Sequence, residues 1–241
     1  MEMISLSNHT RQVLLQLARE SDCLLFGEMH GTQEVPQMLL NFQDDLTALG
    51  YGALALEIPI SDGPAVRDWA TGVEVVPTFF SKPSYDGRGS EQTLALVRKV
   101  AAKGWHLLFF DDSKEQGFTT WQERDSMMAN NFAAEWKRFC PGSKVVGVCG
   151  NLHSTLTPID RFAELWPSFA ACFQERNSEL VVKTVNIVFH SGAFFNNKVQ
   201  EVYYDPIAEA EVREDTGMGH TITLHLPKAT PVTFLMPPPI G

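Results

Sequence analysis

The chain has 241 residues, 44% hydrophobic and 20% charged, which is ample to bury the core of one large domain or two small ones. Its formal net charge of −10 argues against nonspecific binding to nucleic acid or to an anionic membrane, since both need a basic face. No apolar run reaches the roughly 18 residues of a membrane-spanning helix.

Ser7 or Asn8 can cap a first helix, along which Val13, Leu14, Leu17 and Ala18 recur at helical spacing. Cys23 to Phe26 is a continuous apolar run, as expected of a strand buried on both faces. It stops at Gly27, and Glu28, His30 and Glu34 follow within seven residues. Gln33 to Leu49 reads as a helix with Met38, Leu39, Phe42, Leu46 and Leu49 on one stripe; Pro36 fits only in its first turn. Ala53 to Glu57 is a second short strand. Pro64 opens a short helix closed by Gly72.

From Val73 to Gly89 the periodicity disappears. Prolines, glycines and the aromatic residues Phe79, Phe80 and Tyr85 predict a long loop, of the kind that serves as a lid over an apolar substrate or is simply mobile. Ser90 leads into another helix, Trp105 to Phe110 is the third strand, and Asp111 and Asp112 follow it. Thr119 or Thr120 caps a long helix to about Phe139. Lys144 to Cys149 is the fourth strand, followed by Gly150, Asn151, Leu152 and His153. Thr157 and Pro158 start a short helix. Beyond it Phe169–Phe173, Leu180–Phe189, Val199–Tyr204, Thr221–Leu226 and Val232–Leu235 read as strands.

Strands alternating with helices predict an α/β fold, a mainly parallel sheet between helical layers. The strand-rich part from about 169 to 241 is expected to extend that sheet and give it a mixed or antiparallel edge, all within a single domain. Cys23, Cys140, Cys149 and Cys172 form no C-x-x-C pair and are expected to be free thiols. No secretory signal is visible at the start, so the expected location is cytoplasmic.

Ligands of open α/β sheets sit beyond the carboxyl ends of the strands. Those ends carry Glu28 and His30, then Glu57, then Asp111 and Asp112, then Asn151 and His153, and later His190. Successive strand ends thus each deliver a polar or titratable group to one rim, which predicts a site. The plainer reading makes some of them helix caps or turn formers, Asp111 and Asp112 above all. Arg124, Met128 and Asn131 fall on one helix face, so Arg124 either pairs with the rim carboxylates, steadies an oxyanion, or lies at the helix edge. Glu34, on the first helical turn, is expected to face His30 and orient it or to cap the helix. There is no G-x-S-x-G, Walker A, G-x-G-x-x-G or H-E-x-x-H. What remains is His with carboxylates, which suits water activation or a divalent metal equally well.

Five segments in order resemble the erythromycin esterase family, within the wider group that includes ChaN-like haem-uptake and Tiki-like proteins. GEMHGTQE (27–34) resembles the opening G-E-x-x-H-G-x-x-E, one residue shorter and closer to the G-E-x-H form of the ChaN-like and Tiki-like branches. LEIP (56–59), VRDWATG (66–72), RDSMMANN (124–131) and VVGVCGNLHS (145–154) resemble the segments that follow. The resemblance implies His30 as the catalytic base activating water for ester hydrolysis, Glu28 and Glu57 assisting it, and His153 and Arg124 near the reacting centre. Asn151, Asn131, His190, Asp111 and Glu34 are the expected binding or orienting residues. The chain is much shorter than the macrolide-inactivating members, leaving little room for their extra helical region. The expected partner is a small-molecule substrate, with no cofactor required. Two alternatives stay open: a divalent metal held by Glu28, His30, Glu57 and His153, and haem binding with a His or Tyr ligand. KVQEVYY and TITLHL could supply an edge for a homodimer.

Overall fold

The computed structural model describes residues 6–81, 84–111, 117–215 and 217–235. Helix α1 (Asn8–Arg19) begins where the Ser7 side chain accepts the Thr10 amide at 3.1 Å, and it buries Leu14, Leu15, Leu17 and Ala18. Strand β1 (Cys23–Glu28) follows, then α2 (Glu34–Ala48), β2 (Tyr51–Pro59), α3 (Gly63–Ala70), the single turn α4 (Thr78–Ser81), α5 (Glu91–Ala102) and β3 (His106–Asp111). Helix α6 (Trp121–Phe139) opens on a capping box: the Thr120 hydroxyl accepts the Glu123 amide, and the Glu123 carboxylate accepts the Thr120 amide. Then come β4 (Lys144–Gly150), α7 (Phe169–Arg176), β5 (Val182–Phe189), β6 (Ala193–Asn196), β7 (Lys198–Glu201), β8 (Glu211–Glu214) and β9 (Ile222–Leu226).

Seven strands form one sheet in the order β3-β2-β4-β1-β5-β9-β8, parallel except for the antiparallel edge strand β8. Strands β6 and β7 pair with each other as a separate antiparallel hairpin. Helices α1, α2, α3 and α5 pack on one face, against Leu24, Phe26, Leu54 and Leu56. Helices α6 and α7 pack on the other, against Cys23, Leu25, Ala53 and Ala55. Strand β1 is therefore buried on both faces, which is why its sequence is an unbroken apolar run. All four cysteines are free and buried, and burial pushes the Cys23 and Cys149 thiols well up.

Several expectations from the sequence need correction. Phe169–Phe173 is not a strand but the first turns of α7, capped by Ser168. Phe169, Ala170, Cys172 and Phe173 are all buried along one helical side, and a short apolar run fits either period. Val232–Leu235 is not a strand either; its neighbour Pro231 lacks an amide, and the segment bonds irregularly, the Val232 amide to the Gly31 carbonyl, the Thr233 amide to the Gln92 side chain and the Glu91 amide to the Thr233 carbonyl. The helix expected from Thr157 is a 3₁₀ stretch, Asp160–Leu165, broken at Phe162. The strand expected over Val199–Tyr204 is limited to Lys198–Glu201. Asp112 lies outside the described residues. No helix among the described residues is long and apolar enough to cross a membrane.

Candidate active site

Four parallel strands end side by side, and their last residues converge. Glu28 closes β1, and its Oε1 lies 3.0 Å from His30 Nδ1. On the other side of the ring, His30 Nε2 is 3.3 Å from Glu57 Oε2, carried by β2. Glu57 is buried, and its carboxylate accepts from Arg88 Nη1 at 2.9 Å, from Arg124 Nη2 at 2.8 Å and from the Gly150 amide at 2.8 Å. Asp111, at the end of β3, accepts from Arg88 at 2.9 Å and from Arg124 at 2.8 and 3.1 Å. Two guanidinium groups thus knit the ends of β2 and β3, while His30 joins β1 to β2.

Two glycines make the convergence sterically feasible. A Cβ on Gly150 would stand 3.1 Å from His30 Nε2, 3.3 Å from His153 Cδ2 and 3.7 Å from Glu57 Oε2, so a side chain there would occupy the site itself. Gly31 has φ +85° and a Cβ there would lie 1.8 Å from the Phe195 carbonyl oxygen. Through that close approach the β6–β7 hairpin and the 229–234 segment bind the turn after His30: the Phe195 and Val232 amides both donate to the Gly31 carbonyl, each at 3.0 Å.

His153 is locked. A guanidinium can only donate, so His153 Nε2 accepts from Arg124 Nη1 at 2.9 Å, and Nδ1–H donates to Asp125 Oδ1 at 2.6 Å. Asp125 is fully buried, and its second oxygen accepts the Phe169 amide at 2.9 Å. The Trp121 ring stacks parallel on His153, with centroids 4.5 Å apart. Burial raises the Asp125 carboxyl above its ordinary range, against the lowering effect of His153.

The electrostatics separate the two carboxylates beside His30. Burial works against the charge of Glu57, but the cations beside it, Arg88 first and His30 with it, outweigh burial and hold that carboxyl well below 4.5. Burial pushes Glu28 up, with the His30 contact only partly opposing. Burial also disfavours the His30 imidazolium, yet Glu57 and Glu28 more than offset this and lift His30 to about 10. His30 therefore stands protonated at neutral pH, which does not fit the role of resting general base expected from the sequence. A small cavity of about 20 Å³ lies against Glu28, His30, Glu57 and Arg88, walled by Leu56 and Val148 and of a size for a water molecule.

Of the expected residues, the structure brings together Glu28, His30, Glu57, Asp111, Arg124 and His153. Asn151 contributes backbone: its amide donates to the Glu28 carbonyl, and its own carbonyl accepts from Ser154 and His220. Asn131 donates to the Phe110 carbonyl at 3.3 Å and holds helix to strand. Glu34 is turned to Thr230 rather than to His30, and burial raises it. His190 bonds His225 at 2.8 Å and the Asp205 carbonyl, apart from the other groups. Sequence reading missed Arg88, Asp125 and Trp121. Arg88 sat inside the loop noted for its aromatic residues, and Asp125 directly follows Arg124, so the second is recoverable from the R-D pair.

The four residues named as metal ligands do not form a cage. Both oxygens of Glu57 and both nitrogens of His153 already serve other groups, two of them guanidinium cations standing where a metal would. Among the described residues no three His, Cys, Asp or Glu side chains converge as a metal site.

No family model matches the sequence, and no curated protein matches it. Solved structures do. A mutant of the erythromycin esterase EreC in its open conformation superposes with TM-score 0.68 at 11% identity, over 96% of each chain. A succinoglycan biosynthesis protein gives 0.67 at 11% identity, over 97% of this chain and 94% of that one. The haem-binding ChaN of Campylobacter jejuni gives 0.52 at 13% identity, over 91% and 94%. The chain shares their fold. At these identities the likeness carries the three-layer architecture and says nothing of chemistry.

Proposed function

We propose that the chain is a metal-independent hydrolase of ester or lactone bonds, acting at the Glu28–His30–Glu57 cluster on a small molecule. One observation carries the reading: an imidazole held between a carboxyl raised by burial and a carboxylate fixed by two arginines, at the rim of a parallel sheet. Glu28 is the better base of the two carboxylates. It takes a proton from water as the water oxygen bonds to the ester carbonyl carbon. The carbonyl oxygen becomes an oxyanion. Four of the five N–H groups of Arg124 are spent on Glu57, Asp111 and His153, whereas the second terminal amino group of Arg88 keeps both of its hydrogens, with no bond among the described residues. Arg88 is therefore the oxyanion donor, and Arg124 is a clamp. As the tetrahedral adduct collapses, the C–O bond to the leaving group breaks and the alkoxide takes the proton of His30 Nε2. His30 is then neutral with its hydrogen on Nδ1, facing Glu28; Glu28 gives its proton to solvent and Nε2 takes one back from it, which restores the starting state.

The test is hydrolysis of a panel of activated esters and lactones. Wild-type turnover is expected, with kcat/KM lower by about 10²–10⁴ in His30→Ala and in Glu28→Gln. No hydrolysis above the blank by wild type, or equal hydrolysis by His30→Ala, removes the proposal. The structural likeness to an esterase and to a haem binder supports both readings of the fold equally; the small cavity and the fully engaged imidazoles favour the hydrolase over haem.

A further inference from the structure

A second cavity lies far from His30. It opens at the amino ends of the strands, where Asp22 precedes β1 and Lys144 begins β4, and measures about 270 Å³. Ala133 and Trp136 of α6, Phe173 of α7 and Leu180 wall it. The Trp136 and Phe173 rings lie 5.9 Å apart and nearly parallel, at 16°. The Trp136 indole N–H is satisfied by the Ser143 carbonyl at 3.1 Å, so the ring offers the cavity carbon surface and no unmet donor. An engineered apolar cavity of about 150 Å³ admits benzene; this one has room for a fused bicyclic ring.

Charge at its mouth is opposite in sign to that of the chain, whose net charge is −10. Lys144 spends two of its ammonium hydrogens on the Ala18 and Arg19 carbonyls, at 3.3 and 3.0 Å, which fixes the cation and leaves a hydrogen to donate. Lys137 lines the cavity and makes no ion pair or hydrogen bond among the described residues. The one acidic side chain there, Asp22, accepts the Val181 amide at 2.8 Å, a bond that offsets part of its charge. An apolar, ring-lined hollow with a few placed polar groups at its mouth is the usual form of a small-molecule site.

We infer that this cavity binds a small aromatic carboxylate, its ring against Ala133, Trp136 and Leu180 and its carboxylate on Lys137 and Lys144. The site is separate from the rim that holds His30, and it stands or falls without the hydrolase reading. Naphthalene-2-carboxylate is the probe, titrated against tryptophan fluorescence and by calorimetry with the whole chain. Saturable single-site binding is expected. Lys137→Glu, a change on an exposed side chain, is expected to weaken it about tenfold, and so is replacing the probe by neutral naphthalene-2-carboxamide. Ala133→Trp, which fills the hollow, is expected to abolish binding while the circular dichroism spectrum stays that of wild type. Absence of saturable binding overturns the inference. So does equal affinity for the charged and neutral probes, or equal binding by wild type and Lys137→Glu. Self-association that Lys137→Glu abolishes, found in place of probe binding, overturns it in favour of a second copy of the chain.

Discussion

Arg88 reaches 31 residues back along the chain to Glu57, and one amino group, Nη1, donates both to its backbone carbonyl at 2.7 Å and to its carboxylate at 2.9 Å. The same amino group bonds Asp111, and Nε bonds Asp86 on the same loop. The loop between α4 and α5 is thereby tied to the ends of two strands. Removing Arg88 takes one of two guanidinium groups away from the buried carboxylates of Glu57 and Asp111. Arg88→Gln is expected to lower stability by roughly 3 kcal/mol in urea unfolding. Arg88→Lys keeps the charge but cannot reproduce the fork, and is expected to recover only part of the loss. Because Glu57 is depressed in the folded state, its stabilisation is present above about pH 4.5 and is lost as pH falls through the folded value; Arg88→Gln should begin to lose stability at higher pH than wild type. A flat difference between the two proteins across the acid range would contradict this.

His30 gives a signature at the alkaline side. Its folded value is raised from 6.5 to about 10, so its contribution to stability is complete below about pH 6.5 and disappears as pH rises through 10. His30→Gln is therefore expected to be less stable than wild type at pH 6 and to approach it near pH 10. Under the proposed mechanism kcat/KM also falls on the alkaline limb as the imidazolium is lost, and rises on the acid limb as Glu28 ionises above the ordinary carboxylate range. Carbon-detected NMR of labelled histidines reads the His30 titration directly. A midpoint near 6.5 would sink both expectations.

Asp125 tests the lock on His153. Its two oxygens accept from His153 Nδ1–H and from the Phe169 amide. In Asp125→Asn one of those donors must face an amide NH₂ instead of an acceptor. Loss of about 1–3 kcal/mol is expected in chemical denaturation, with the fold retained. An Asn variant as stable as wild type would show that the pairing is dispensable.

Gly31 tests the seam between the His30 turn and the hairpin. Gly31→Ala forces a side chain into a positive-φ position against the Phe195 carbonyl. Destabilisation of roughly 3 kcal/mol or more is expected. Hydrogen exchange should localise the loss, with the Phe195 and Val232 amides exchanging faster than those of β1. Uniform loss across the sheet would argue against a local seam.

The sequence by itself determined the alternation of buried strands with capped helices, because burial on both faces demands unbroken apolar runs and the caps at Ser7, Ser90 and Thr120 are local chemistry. From that alternation came the rim, and with it Glu28, His30, Glu57, Asp111 and His153, since the rule that sites lie beyond strand ends needs only the order of elements. Short apolar runs were ambiguous, as α7 shows, because four or five residues do not distinguish the two periods.

Only the tertiary structure decided who meets whom. Arg88 lies in a segment without periodicity, and nothing local announces that a loop arginine will be placed between Glu57 and Asp111. The sheet order puts β4 between β1 and β2, so Gly150 stands where His30, His153 and Glu57 converge. That placement reverses the expected proton on His30. An imidazole titrates according to the charges within a few ångströms of it, and those charges come from elements far apart in the chain.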